Sequence, residues 1–108
     1  MINLDQARQR LEARLAELQA RAAHVTADLR ETPEADSGER AAQAEDDEAL
    51  EAQAALIAGE IASVQRALDR LAGGSYGTCV ACGADIAPGR LEARPEAALC
   101  IACAEARG

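Results

Sequence analysis

Cys79-Val80-Ala81-Cys82-Gly83 and Cys100-Ile101-Ala102-Cys103, with 17 residues between Cys82 and Cys100, hold all four cysteines of this 108-residue chain. Thiolates are soft donors that suit a tetrahedral Zn²⁺, and two residues between ligands let one tight turn present both sulfurs to the metal. The spacing falls in the range of paired zinc knuckles. Gly83, directly after Cys82, supplies the residue that tolerates positive φ where a knuckle turns back. Cys79, Cys82, Cys100 and Cys103 therefore read as one four-thiolate site. With every position filled by sulfur, no open coordination place remains for a catalytic water, so the Zn²⁺ is structural. The second pair reads as opening a short helix, Pro95 to Ala106.

Two other uses of four cysteines compete with this reading. A disulfide pair needs an oxidising compartment, and the first twenty residues carry charges throughout, like neither a signal peptide nor a membrane span. The expected location is the cytoplasm. A thioredoxin-like redox motif needs a βαβ surround, and no such pattern is present.

Composition points to helices. The chain has one Tyr and no Phe or Trp, and its apolar content is mostly alanine. Alanine is the best helix former but buries little area, so thin helices are expected in place of a thick core. Net charge is −8 and all eleven basic residues are arginine. An acidic surface argues against direct, sequence-specific binding of DNA, because phosphate contacts need a basic face. A protein partner fits better.

Two apolar seams set the architecture. The first runs Leu4, Leu11, Leu15, Leu18, Ala22, Val25 and Leu29, with Arg8 in its one polar slot. The second runs Leu50, Ala54, Ile57, Ile61, Val64, Leu68 and Leu71. Both alternate three and four residues, the spacing of a coiled-coil seam. Thr32-Pro33 ends the first helix, since proline disfavours helical geometry in the residue before it and cannot donate to the ladder. Gly73-Gly74 stops the second. The expected fold is all-α: an antiparallel two-helix coiled-coil hairpin over residues 1–73, with its tip at about 32–42, and a zinc-finger lobe with a short terminal helix over 74–108. Leu4 is expected to face Leu68, Leu11 to face Ile61, Leu15 to face Ile57 and Ala22 to face Leu50. Toward the turn Val25 meets Asp47 and Leu29 meets Gln43, so packing there should be loose. Tyr76, beside Gly77, is the expected wedge by which the lobe clamps the hairpin's open end. A hairpin that satisfies its own seam is expected to be a monomer.

The run Tyr76-Gly77-x-Cys79-x-x-Cys82-Gly83, then Arg90-Leu91-Glu92-Ala93-Arg94-Pro95 and Leu99-Cys100-Ile101-x-Cys103, resembles the DksA/TraR zinc-finger family of bacterial RNA polymerase regulators. The likeness extends back through the second helix to Arg40-Ala41-Ala42-Gln43, while the first helix matches in length and pattern. The resemblance implies a protein that binds RNA polymerase directly, passes its coiled-coil hairpin through the secondary channel and alters open-complex lifetime within the stringent response. No nucleophile, base or open metal position suggests an enzyme.

The family's tip pattern, Asp-x-x-Asp-x-Ala, corresponds to Asp36-Ser37-Gly38-Glu39-Arg40-Ala41, so the resemblance makes Asp36, Glu39 and Ala41 the residues that approach the polymerase active centre. Glu39 is one methylene longer than the family's aspartate. The same two acids also read as a helix-capping box, and both roles can coexist. The run Glu45-Asp46-Asp47-Glu48 reads as a solvated face in the first helical turns. Positions matching the family's basic contacts to the alarmone ppGpp are Leu56, Gly59, Ser63 and Ala104, none of them cationic. Only Arg94 remains, read either as a polymerase contact or as a donor to carbonyls inside the lobe. A multiply phosphorylated ligand needs cations, so action independent of ppGpp is expected. Gly59, helix-weakening by about 1 kcal/mol relative to alanine, marks a bend or a close approach to polymerase. His24, outside the seam, is not expected to bind metal. Two further readings stand beside channel regulation: a channel-occupancy competitor weakened by Glu39, and a thiol-based sensor in which oxidation ejects zinc.

Overall fold

The structure, a computed structural model, describes residues 2–29 and 37–107, with side chains over 2–28 and 46–107. Four helices follow one another: α1 (Leu4–Leu29), α2 (Ser37–Gly73), α3 (Pro88–Ala93) and α4 (Ile101–Arg107). Among the described residues the only extended pairing is an isolated antiparallel bridge between Thr78 and Asp85. The fold is the all-helical hairpin with a four-cysteine lobe that the two seams and two knuckles predict. None of the described helices is long and apolar enough to cross a membrane.

The start of α1 is set by a side-chain cap. Asn3 Oδ1 accepts from the amide of Gln6 at 3.0 Å, satisfying one of the donors a helix leaves open at its N-terminus. The end of α2 is set by backbone geometry. Gly74 adopts φ +83°, and the Ser75 amide donates back to the Arg70 carbonyl at 2.9 Å. That six-to-one closure on a left-handed glycine is a Schellman stop. The pair Gly73-Gly74 therefore ends the helix for the expected reason, the second glycine being the one that turns.

Two compact units divide the chain, residues 1–15 with 62–108, and residues 16–61. Both long helices pass from one unit to the other. In the first unit the start of α1 lies with the end of α2, and Ala7, Leu11, Val64, Ala67 and Leu71 are buried. In the second, the end of α1 lies with the earlier part of α2, and Leu18, Val25 and Ile57 are buried. Burial of a leucine such as Leu11 or Leu18 stabilises by about 2 kcal/mol each.

The seams are narrower than the alternating pattern proposes. Leu11, Leu18 and Val25, one heptad apart, are buried, as are Ile57, Val64 and Leu71. Leu15, Ala22, Leu50, Ala54, Ile61 and Leu68 are half-buried. Leu4 is 49% exposed, and the buried place near that end belongs to Ala7 instead, a residue the seam omitted. Toward the end of α1 and the described start of α2, Val25 is buried while one carboxylate oxygen of Asp47 is buried without a hydrogen-bond partner. A shallow groove lined by Arg21, His24, Val25, Asp28, Leu50 and Gln53 opens in the same unit. Burial of Val25 runs against the loose packing expected there, and Leu29 and Gln43 lie outside the described side chains.

Candidate metal centre

The first knuckle is a short backbone turn. The Cys79 amide donates to the Ala84 carbonyl at 2.8 Å, and the Gly83 amide returns to the Cys79 carbonyl at 2.9 Å. Gly83 takes φ +77°, the left-handed geometry that a side chain at this place would oppose. Below it, the Ile86 amide meets the Gly77 carbonyl at 2.7 Å, which closes the base of the turn.

The second knuckle runs into α4. Cys100 precedes the helix and Cys103 lies in its first turn, with the Ala104 amide donating to the Cys100 carbonyl at 2.9 Å. One backbone bond ties the knuckles together, from the Val80 amide to the Ala98 carbonyl at 2.9 Å. That bond also explains a correction. The helix expected from Pro95 begins only at Ile101, because the carbonyls before it are spent across the lobe. Tyr76 Oη donates to Pro95 O at 2.9 Å and Arg90 Nε to Leu99 O at 2.9 Å, in addition to the Ala98 contact. A helix over 95–100 would turn those carbonyls along its own axis. Helix α3 was not foreseen, although Pro88 at its start is a favourable first-turn residue.

The four sulfurs converge. All lie within 4.8 Å of one another, and Cys82 Sγ and Cys100 Sγ stand 3.8 Å apart. Zinc–sulfur bonds of about 2.3 Å in a tetrahedron make each sulfur–sulfur edge about 3.8 Å, so this edge already has the length the metal demands. Cys79 is buried, Cys100 and Cys103 are half-buried and Cys82 faces outward. The donor set and geometry fit a structural Zn²⁺ held by Cys79, Cys82, Cys100 and Cys103.

The protonation pattern without metal shows why a cation belongs there. Amides of Cys100, Cys82 and Ala81 point at the Cys79 sulfur and lower its pKa to about 6, as donors to an anion do. The shared hydrogen bonding of Cys100, Cys82 and Cys79 pushes Cys103 up to about 12. Four thiolates cannot lie this close without a positive charge among them. Zinc supplies that charge, and loading it releases the protons.

The lobe's core is Cys79, Ile86, Leu91 and Ala97, with Ile2, Tyr76, Leu99, Cys100 and Cys103 packed against it. Ligands and core are thus the same residues in part, so metal and packing stabilise one another. Long-range polar bonds hold this core to both helices of its unit. Arg10 of α1 donates to the Glu92 carbonyl, and Arg70 of α2 donates to the Glu96 carbonyl at 3.3 Å. Tyr76 is half-buried beside both arginines, and burial raises its pKa against their opposing pull. The wedge expected at Tyr76 is present. Gly77, at φ +89°, admits Ile2: a β-carbon there would stand 3.1 Å from Ile2 Cδ1.

Residues 74–107 match the prokaryotic dksA/traR C4-type zinc finger, and residues 8–71 match the N-terminal domain of DnaK suppressor protein-like proteins. The chain belongs to the DksA/TraR family. Its structure is similar to that of transcription factor DksA2 from Pseudomonas aeruginosa, with TM-score 0.87 and 33% identity, covering 96% of this chain and 81% of that chain. No curated protein matches it.

Within this DksA/TraR chain the other expected site residues fare differently. Asp36 lies outside the described residues; Glu39 and Ala41 fall in α2 with side chains outside them. Arg94 is exposed at the end of α3, and its amide, not its guanidinium, bonds inward, to the Arg90 carbonyl at 2.7 Å. The carbonyl-holding role goes to Arg90, Arg10 and Arg70. Sequence reading missed these three because nothing in an arginine's neighbours along the chain tells which carbonyl it will meet. Of the positions matching the alarmone contacts, Leu56 and Gly59 are exposed and Ser63 and Ala104 half-buried.

Proposed function

We propose that this chain is a DksA-type transcription factor that binds bacterial RNA polymerase directly, enters the secondary channel with the hairpin end bearing Asp36, Glu39 and Ala41, and alters open-complex stability. The observation that carries the reading is the likeness to DksA2 over 96% of this chain, joined to two family matches that together run from residue 8 to residue 107. The zinc lobe holds the open end of the hairpin in one arrangement, and the tip reaches into the enzyme. The protein works as a cytoplasmic monomer, with no membrane and no specific DNA sequence as partner.

No cation replaces the family's alarmone contacts at Leu56, Gly59, Ser63 and Ala104, so the effect on polymerase is independent of ppGpp at this interface. A polymerase stripped of its other ppGpp site should respond equally to the protein with and without the nucleotide. A deeper effect with ppGpp would defeat this part of the proposal alone.

The decisive experiment is competition. Zinc-loaded protein should displace a labelled secondary-channel factor from core polymerase of its own bacterium at micromolar or tighter concentration. No displacement from polymerase that binds the label would refute the channel reading. Glu39 supports a second reading, an occupancy competitor, because its carboxylate sits one methylene farther out than the family's aspartate. Glu39→Asp that gains promoter effect at unchanged binding would favour the competitor.

A further inference from the structure

The core of the metal lobe includes a residue that precedes α1. Ile2, half-buried, packs against the cluster of Cys79, Ile86, Leu91 and Ala97. Its seat is a notch that glycine leaves open: a β-carbon on Gly77 would lie 3.1 Å from Ile2 Cδ1 and 3.5 Å from Leu91 Cδ1, and φ +89° there favours glycine as well. Gly77 also belongs to the base of the first knuckle, since its carbonyl accepts from the Ile86 amide at 2.7 Å and Cys79 follows two residues later. The side chain of Ile2 therefore rests on the backbone turn that carries a metal ligand.

The same residue bears on how α1 begins. Asn3 is the cap, its Oδ1 accepting from the Gln6 amide and its carbonyl from the Ala7 amide, both at 3.0 Å. A residue just before a cap often packs on the fourth residue of its own helix. Here that residue is Ala7, a single methyl, and Ile2 lies against the lobe core. Leu4, the large apolar residue of the first turn, is 49% exposed and is not among the residues packed on that core. Among the described residues, the lobe's other hydrogen-bonded hold on α1 is the Arg10 guanidinium on the Glu92 carbonyl. The end of α2 is held differently, because it runs through Gly74 and Ser75 into the lobe and its last turn is closed by its own backbone. A helix start with few outside contacts frays unless those contacts tie it down.

We infer that Ile2 is a latch through which metal occupancy sets the order of the first turns of α1. With the four sulfurs gathered by zinc, the Gly77 turn keeps its shape and the notch holds Ile2. With the knuckle open, the notch is lost and residues 3–10 unwind while the end of α2 stays helical. Coupling of this kind is reciprocal, so the seated Ile2 tightens zinc by the factor by which zinc seats Ile2. The latch operates in the free chain, whatever the hairpin binds.

The test reads both directions on the full chain. Hydrogen exchange with and without zinc should show amides 6–11 losing protection about tenfold or more on metal removal, and amides 66–72 at the end of α2 changing less than about threefold. In competition with a colorimetric zinc chelator, Ile2→Ala should bind zinc about tenfold more weakly than wild type, within the ordinary range of coupling between sites. Ile2→Val, which removes only the Cδ1 that meets Gly77, should weaken zinc about threefold and keeps the test valid if Ile2→Ala does not fold. Leu4→Ala, in the same turn but off the lobe core, should stay within about twofold, as expected of a half-exposed side chain. Zinc affinity within twofold of wild type for Ile2→Val, and for Ile2→Ala where it folds, would overturn the inference. So would amides 6–11 that keep their protection without zinc, or amides 66–72 that loosen as much as they do. Leu4→Ala weakening zinc as much as Ile2→Ala would also overturn it, since the effect would then belong to helix stability and not to the notch.

Discussion

Residues 1–15 with 62–108 and residues 16–61 are made of the same alanine-rich helices and solve different problems. The first unit has near-balanced charge, seven acids against eight arginines, and spends its polar groups internally: Arg10, Arg70, Tyr76 and Arg90 all donate to carbonyls of the segment 92–99. The second has twelve acids, three arginines, a buried carboxylate oxygen on Asp47 with no partner, and a large exposed leucine. Polar groups satisfied inside the chain make a unit that stabilises itself. Groups left outward or unsatisfied make one whose sequence is shaped by something other than its own stability.

Removing zinc tests the contrast most severely. Chelation, or Cys100→Ser, should collapse the lobe, because structural zinc contributes on the order of 10 kcal/mol to such folds. Hydrogen exchange should show residues 74–107 losing protection while amides in 16–28 and 46–61 change far less; equal loss in both would end the idea of separable units. Acid should act the same way as chelator. Zinc must displace protons from thiols, including a Cys103 raised to about 12, so affinity rises with pH and is lost as pH falls. A zinc titration with a colorimetric chelator from pH 8 to pH 5 would measure this.

Leu18→Ala comes next. Leu18 is fully buried in the second unit, and truncation should cost about 2–5 kcal/mol through lost burial and the cavity left behind. Its effect on exchange should fall in 16–61 and spare the metal lobe. Opposite in sign, Asp47→Leu should stabilise the second unit by about 1–3 kcal/mol, since it removes an unsatisfied buried acceptor. A lower melting temperature would mean that the carboxylate is satisfied in solution. Smallest is Tyr76→Phe, which removes the hydroxyl that reaches Pro95 O and should destabilise the first unit by about 1 kcal/mol. Denaturant midpoints read both substitutions.

How much of this was legible beforehand depends on how local each signal was. The zinc site was read whole from four cysteines, because ligand spacing is a property of short turns. Leu11, Leu18, Val25, Ile57, Val64 and Leu71 were read as core from their period. Ala7 and Ala67, at 7% and 0% exposure, were not, since in a chain this rich in alanine the same residue fills both surface and seam and the period cannot sort them. Leu4 was misplaced at the first residue of α1, where a helix has no preceding turn to cover it. The helix expected over 95–106 failed in its first half because carbonyl partners lie up to 19 residues away. Arg10 bonding to Glu92, 82 residues on, is the extreme of that kind.

The segment from Gly83 to Leu99 is closed at both ends by the two knuckles, and its ends are also joined by the bond between Val80 and Ala98. Four sulfur–metal bonds cross-link the chain on either side of it as a covalent bridge would. A protease that cuts once at exposed Gly89 or Glu92 would therefore leave two pieces that travel together through gel filtration. Adding a chelator would then release residues beyond the cut, so a single nick becomes a loss of α4 only when the metal leaves.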